Sequence, residues 1–292
     1  MVKFVADSSC DMLDMPGVCF VSVPLTIHTD NKQWTDDDTM DISDMLDTLS
    51  VYKGRSYTSC PGIEAWLTAY EGADTIYVGT LTSGLSGTYN AALAAANIYR
   101  QKHPNVQIEV FDTLSTGPEL RLLMEKLVEL DSEGLSFSEV CKAAHAYMKQ
   151  TRLFFSFCSL HNFAQNGRVS KAVAAAVGML GIRIVGTASP QGTIEPITKC
   201  RGDKRALNAL FRRTGYYRFQ QRQTANRSYT KPGTCRYLCF PGPSKIPTGR
   251  HTCLSCPWAV QLLRRTWSYF FRCRNLLTIL FCFAVRIKHP GY

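Results

Sequence analysis

Aspartate and glutamate are absent from the last part of this 292-residue sequence. From Arg212 to Tyr292 there are 15 Lys and Arg residues and no acidic residue. The chain before Arg212 has 18 basic and 23 acidic residues, so the net charge of +10 arises entirely from this tail. A folded basic domain usually keeps some acidic residues for helix N-termini and for ion pairs. The missing acids therefore set residues 212–292 apart as a tail of doubtful fold.

Three interpretations of this basic tail compete. Its charge is typical of a nucleic-acid-binding appendage. Its cysteines include Cys235-x3-Cys239 followed by Cys253-x2-Cys256, a spacing that suggests a zinc site. The third interpretation is out-of-frame sequence that follows an insertion or deletion near codon 211. We favour the third, because the Arg, Cys, Pro and Ser residues are scattered without clear amphipathic periodicity until about Val260.

Long hydrophobic runs are also missing. The longest apolar run near the C-terminus, Leu276 to Val285, is too short to span a bilayer. The N-terminal sequence MVKFVADSSCDM has one lysine and turns polar at once, which does not resemble a signal peptide. We therefore expect a cytoplasmic protein.

Common cofactor motifs are absent from the sequence. It contains no G-x-x-x-x-G-K-[ST], no G-x-G-x-x-G and no H-E-x-x-H. These absences remove the usual sequence signals for a phosphate loop, a dinucleotide site and a zinc peptidase. We expect no cofactor and no bound metal.

Predicted strands and helices alternate with short links over the first 150 residues. The strands are VKFVADSS, VCFVSVPLTIHT, TIYVGTL and VQIEVFDTLS; SYTSCPG is expected as a polar turn. This alternation predicts an N-terminal α/β/α domain with a mostly parallel sheet at 1–150. After about Thr151, RLFFSFCSL and a hairpin signal at Pro190–Gly192 predict a second α+β domain with antiparallel strands, which begins at 151–211. That domain is incomplete if the tail is out of frame.

A glycine- and hydroxyl-rich loop lies between a predicted strand and a predicted helix. It spans Ser83 to Thr88 within TLTSGLSGTYNAALAAA. Unpaired amides at a helix start favour an anion such as a phosphate or a carboxylate. The same loop is equally consistent with a tight turn and a helix cap without a ligand. Polar strand ends elsewhere, such as Asp7–Ser9 and Asp112–Thr113, are expected to converge on this edge of the sheet.

Ser86 raises the alternative of a serine hydrolase. Its surroundings, Gly84-Leu85-Ser86-Gly87, depart from G-x-S-x-G because the second glycine comes one residue early. No sequence feature places a histidine and an acid beside this serine. We therefore keep the hydrolase as an alternative and do not expect an enzyme.

Seven segments, taken in order, resemble the DegV family of bacterial lipid-binding proteins over about residues 1–211. They are FVADSSCDM, VPLTIHTDNKQWTDD, YTSCPG, TLTSGLSGTYNAA, FDTLSTG, NGRVSKA and TIEPITKCRGDKRAL. The resemblance implies two domains with a long-chain fatty acid buried between them. It also implies a separate kinase that phosphorylates the carboxylate of the fatty acid. Peripheral membrane contact would allow lipid exchange, and no nucleic acid partner is expected.

The resemblance also implies the residues of the site. Thr58 of the T-S-x-P turn and Ser86 of S-G-L-S-G match the family residues that hold the acyl carboxylate, and Arg168 of NGRVS matches a head-group arginine. Small residues at Ala91–Ala96 and Ala172–Gly181 would either leave room for the acyl chain or pack closely against a sheet. One departure is clear, since His251-Thr252 is followed by Cys253 where the family has His-Thr-Gly-Pro-Gly.

Overall fold

A computed structural model describes residues 1–157, 159–175, 181–213 and 281–286. These residues belong to one compact unit. The domain boundaries expected at 150 and 211 stay predictions. The cysteine pairs considered for zinc lie outside the described residues.

Four parallel strands form the first sheet, as the sequence predicted. Their order is β2-β1-β6-β7. The strands are β1 (Val2–Asp7), β2 (Phe20–Val23), β6 (Thr75–Thr80) and β7 (Gln107–Asp112). Both faces of this sheet are buried. Its strands therefore have short, nearly continuous hydrophobic sequences.

Helices cover both faces of the parallel sheet. Helices α2 (Ile63–Tyr70) and α3 (Thr88–Lys102) pack with Val5 and Val78 on one face. On the other face, α4 (Pro118–Ser132) and α5 (Phe137–Met148) share a core with Phe4 and Tyr77. Successive residues of a strand point to opposite faces, so Phe4 and Val5 stabilise different halves of the core. Each fully buried side chain of this size contributes roughly 1.5–3 kcal/mol.

The alanines of α3 pack closely rather than leaving a slot. Ala92, Ala95 and Ala96 are fully buried in the core that α3 shares with Trp66. Tyr70 Oη donates a 3.1 Å hydrogen bond to the Ala92 carbonyl and joins α2 to α3. Of the second small-residue stretch, the structure describes α7 (Lys171–Ala175) and residue 181; residues 176–180 lie outside the described part.

The structure also contains a small antiparallel sheet, and two predictions about its segments are wrong. Its strand order is β4-β3-β5, with β3 at Thr26–His28, β4 at Gln33–Thr35 and β5 at Tyr57–Ser59. The predicted strand VCFVSVPLTIHT is therefore two strands in different sheets, and the predicted turn SYTSCPG contains a strand. Pro24 ends the pairing of β2 because it has no N–H to donate to a neighbouring strand. The amide of the next residue, Leu25, donates to Ser8 Oγ rather than to a strand. Helix α1 (Ile42–Val51) follows, and the side chain of its N-cap residue Asp41 accepts a hydrogen bond from the amide of Asp44.

A third sheet is antiparallel, as predicted. Its order is β10-β9-β8-β11, with β8 at Thr151–Phe157, β9 at Ile182–Ala188, β10 at Ile194–Arg201 and β11 at Phe281–Arg286. The predicted hairpin joins β9 to β10. Two further helices belong to this part, α6 (His161–Gln165) and α8 (Asp203–Arg213).

Candidate functional site

Asp7 ends β1 at the carboxyl edge of the parallel sheet and is fully buried. Its Oδ2 accepts a 2.5 Å hydrogen bond from the amide of Leu81, the residue after β6. Its Oδ1 accepts from the amide and the hydroxyl of Ser9, at 3.1 and 2.5 Å. Burial raises the pKa of this carboxyl, and the hydrogen bonds from Ser9 and Leu81 oppose that rise. Asp7 thus joins the ends of two neighbouring strands.

Asp112 has a similar role at the end of β7. Its Oδ1 accepts hydrogen bonds of 3.1 Å from the amides of Ser83 and Leu114, and its Oδ2 accepts one from the Ser83 hydroxyl. The loop after β6 is therefore held by carboxylates from the strands on either side. The convergence of the polar ends of β1, β6 and β7 is confirmed.

Ser86 lies in this loop, immediately before α3. Its side chain is half-buried, and its Oγ lies 2.7 Å from Thr88 Oγ1 and accepts a 3.3 Å hydrogen bond from the amide of Thr88. The N-cap residue Gly87 has no side chain to cap the helix. The hydroxyl of Ser86 thus lies where the helix dipole and the first-turn amides favour a negative charge.

Thr58 lies in the middle of β5 and is exposed. It is aligned with Ile27 of β3. The end of this strand reaches the start of α3, because a β-carbon placed on Gly87 would lie 3.5 Å from Cys60 Sγ. The segments of Thr58 and Ser86 are therefore in contact.

Arg168 is exposed in the turn that follows α6. Its Nε donates a 3.0 Å hydrogen bond to the carbonyl of Leu85, and its Nη1 donates to the carbonyl of Asn166. Within the described ranges, Arg168 belongs to no ion pair. The guanidinium of Arg168 therefore contacts the residue that precedes Ser86.

Asn166 is a residue of this site that the sequence analysis missed. Its Nδ2 donates to the carbonyls of Ser56 and Asn162, each at 2.9 Å, and its Oδ1 accepts from Arg55 Nε at 3.0 Å. Asn166 therefore joins the segment that leads into β5 to the turn that carries Arg168. Its place in the sequence NGRVS was the only signal, and the sequence did not reveal its partners across the fold.

The three segments that carry Thr58, Ser86 and Arg168 contact one another in pairs. Hydroxyl groups, unpaired helix amides and one guanidinium are donors suited to a carboxylate or a phosphate. The roles of the three side chains stay predictions, since no ligand defines them.

The geometry around Ser86 does not resemble a catalytic triad. The Ser86 hydroxyl is paired with Thr88, whereas His28 Nε2 lies 2.8 Å from Ser59 Oγ and His145 Nε2 lies 3.3 Å from Glu109 Oε1. Among the described residues, no histidine is hydrogen-bonded to Ser86. A nucleophilic serine needs such a base within hydrogen-bond reach.

Among the described residues, no three His, Cys, Asp or Glu side chains come together as a metal site. No helix in this part of the chain is both long enough and apolar enough to cross a membrane.

Together these features define a protein with a parallel α/β core, two antiparallel sheets and a hydroxyl-rich loop at the carboxyl edge of the parallel sheet. The model of the DegV family, described as an uncharacterised protein family, matches residues 1–231. The chain belongs to the DegV family. The match extends past residue 211, the end of the segments whose sequence resembles the family.

Individual relatives agree with this assignment. A DegV domain-containing protein of Streptococcus pneumoniae strain R6 is 43% identical over 213 residues, which cover 72% of this chain and 76% of the relative. A solved DegV family structure from Eubacterium eligens, loaded with heptadecanoic acid, is 52% identical with a TM-score of 0.70, over 73% of this chain and 78% of that one. The S. pneumoniae Fatty Acid Kinase (Fak) B3 protein, loaded with linoleic acid, is 41% identical with a TM-score of 0.72, over 74% and 78%.

Proposed function

We propose that this chain binds a long-chain fatty acid and presents its carboxylate to a partner kinase. Family membership supports the proposal, as do the fatty acids carried by the two solved structures that are 52% and 41% identical to it. The observation that carries the proposal is the contact between the Arg168 side chain and the Leu85 carbonyl, next to Ser86. It brings the positive charge of Arg168 to the loop before α3, where an acyl carboxylate would be held.

In this proposal the three predicted residues bind the head group. The hydroxyls of Thr58 and Ser86 donate hydrogen bonds to the carboxylate oxygens, and Arg168 supplies positive charge to the carboxylate or to a transferred phosphate. Hydrogen bonds to an ionised acceptor are shorter and stronger than neutral ones. The exposure of Thr58 and Arg168 leaves the carboxylate within reach of a second protein.

The chain itself is proposed to be a carrier rather than an enzyme. Its residues hold and orient the carboxylate, while the kinase transfers the phosphoryl group from its nucleotide to a carboxylate oxygen. A carrier needs neither a metal nor a general base of its own, so a hydroxyl-rich site with one arginine is sufficient for the task.

Native mass spectrometry of the purified full chain tests the proposal. We expect an added mass of a fatty acid that is lost when the same sample is denatured. A folded chain that stays without ligand after incubation with heptadecanoic acid would contradict the proposal. It would indicate that the chain keeps the family fold without the ability to retain the lipid.

A serine-reactive fluorophosphonate probe separates the carrier from the hydrolase. A carrier should give no covalent adduct at Ser86, because the described part of the chain places no histidine beside it. Stoichiometric labelling that disappears in Ser86→Ala would support the hydrolase instead.

A further inference from the structure

The turn of the β9–β10 hairpin contains one buried residue, Gly192. Gly192 is buried although its neighbours Gln191 and Thr193 are exposed. The turn is closed by its own hydrogen bonds, from the Gly192 amide to the Ser189 carbonyl and from the Ser189 amide to the Thr193 carbonyl, both 2.9 Å. A turn that is already closed in this way buries its tip only when another part of the protein covers it.

The covering part is the loop that carries Ser86. Thr82 Oγ1 donates a 3.0 Å hydrogen bond to the Gly192 carbonyl. A β-carbon added to Gly192 would overlap Thr82 Oγ1 and would lie 2.9 Å from Leu114 Cα. A β-carbon added to Gly84 would lie 2.5 Å from the Gln191 carbonyl oxygen. The hairpin tip therefore fits into a notch formed by the loops after β6 and β7, and only a residue without a side chain fits there.

Ser86 is thus held from two directions. The hairpin contacts Thr82 and Gly84 on its N-terminal side, and Arg168 contacts Leu85 immediately before it. The contacts with Thr82 and Gly84 come from the β9–β10 hairpin, which contains none of the predicted head-group residues. A displacement of the hairpin would release Thr82 and Gly84 and would let the loop move.

We propose that the hairpin tip, through Gly192, is a positioning element for the head-group site. It fixes the loop from Thr82 to Ser86 so that the Ser86 hydroxyl meets the carboxylate of the bound lipid. This inference rests on the proposed function. It predicts that the hairpin controls recognition of the head group rather than retention of the acyl chain.

The test compares Gly192→Ala with Gly202→Ala in the full chain. Both glycines have a positive φ, 71° and 78°, so alanine strains the backbone similarly at either position. A β-carbon on Gly202 would have no neighbour within 4 Å among the described residues, whereas one on Gly192 would collide with the loop. Gly202→Ala therefore controls for strain without displacing the hairpin.

The readout is the preference for hexadecanoic acid over hexadecan-1-ol, measured by competition against bound heptadecanoic acid. The two probes share one chain length and differ in the head group. We expect Gly192→Ala to reduce the preference about tenfold, equivalent to the loss of one hydrogen bond to a charged group. Gly202→Ala should keep the wild-type preference.

If Gly192→Ala fails to fold, Thr82→Val takes its place, because it removes the hydroxyl that bonds to Gly192 and keeps the shape of the side chain. An equal loss of affinity for both probes, or no change in preference, would overturn the inference without contradicting the carrier function. A wild-type chain that retains neither probe, or does not prefer the acid, would overturn the proposed head-group site and this inference with it.

Discussion

The guanidinium of Arg168 donates a 3.0 Å hydrogen bond from Nε to the carbonyl oxygen of Leu85. The two residues are far apart in the sequence, and the bond joins the turn after α6 to the loop before α3. Arg168 therefore fixes the main chain next to Ser86 and also brings a positive charge to it, and this arginine forms no ion pair with any residue that the structure describes. The following predictions test this arrangement and the carboxylates that support it.

Ser86→Ala should weaken the retention of a fatty acid about tenfold, because one hydrogen bond to an ionised acceptor contributes about 1.5 kcal/mol or more. Dissociation of bound heptadecanoic acid, followed by native mass spectrometry, measures the change. Ser50→Ala, an exposed serine in α1, is the control and should behave like wild type. Unchanged retention in Ser86→Ala would mean that this hydroxyl does not bind the head group.

Asn166→Ala should lower both stability and fatty-acid retention. The side chain makes three hydrogen bonds to Arg55, Ser56 and Asn162, and their loss should lower the free energy of unfolding by about 1–3 kcal/mol. Urea unfolding and the lipid dissociation rate are the measurements. Asn162→Ala is the matched control, since its amide makes one 3.4 Å bond to Ser56 Oγ. Equal effects of the two changes would contradict the central role of Asn166.

Asp7→Asn should be more damaging than Asp112→Asn. Asp7 uses both carboxylate oxygens to accept backbone amides, so an asparagine would turn its own NH2 toward one of them. The cost should be about 1–3 kcal/mol in the free energy of unfolding. Asp112 accepts both amides on one oxygen, and its other oxygen faces the Ser83 hydroxyl, which can accept from an amide. Urea unfolding of both variants checks the order, and the reverse order would show that these contacts do not decide the stability of the edge.

Glu119 should make stability depend on pH. It is buried at the start of α4, and burial raises the pKa of its carboxyl, against hydrogen bonds from Ser115 and Thr151 and the charge of Arg152. The folded state therefore holds this proton more tightly than the unfolded state, where the pKa is about 4.3. The resulting stability is fully present below the unfolded pKa and is lost as pH rises through the folded pKa.

Glu119→Gln should remove this dependence. The difference in the free energy of unfolding between wild type and Glu119→Gln should favour wild type most in acid and should decline as pH rises. Urea unfolding at a series of pH values between about 4 and 8 spans the titration range of a carboxyl with a raised pKa. The control is Glu133→Gln, an exposed residue at the end of α4. A flat difference for Glu119→Gln would contradict the pKa direction.

Local patterns were sufficient to predict the layered α/β core. Short apolar runs predicted β1, β6 and β7, and the turn residues Pro190–Gly192 predicted the β9–β10 hairpin. These elements follow from the alternation of buried residues and from turn chemistry, which lie within a few neighbouring positions. The sequence also predicted that Asp7, Ser83 and Asp112 would share one edge, because parallel strands end together.

Local sequence patterns did not predict the small antiparallel sheet. The strand at Tyr57–Ser59 is three residues long and exposed, and it forms because β3 offers it unpaired backbone groups. The split of β2 from β3 likewise depends on Ser8, which accepts the Leu25 amide from seventeen residues away in the chain. Short strands of this kind are decided by the partner they find rather than by their own composition.

The sequence by itself determined the family, the parallel core and the three residues expected at the head group. Only the tertiary structure decided how the segments of those residues meet: Asn166 bridging to Ser56, Arg168 reaching Leu85, and Gly192 closing on Thr82. The physical reason is that hydrogen bonds and close contacts between distant segments depend on the packed fold. Residue types reveal which groups are available, and packing decides which of them touch.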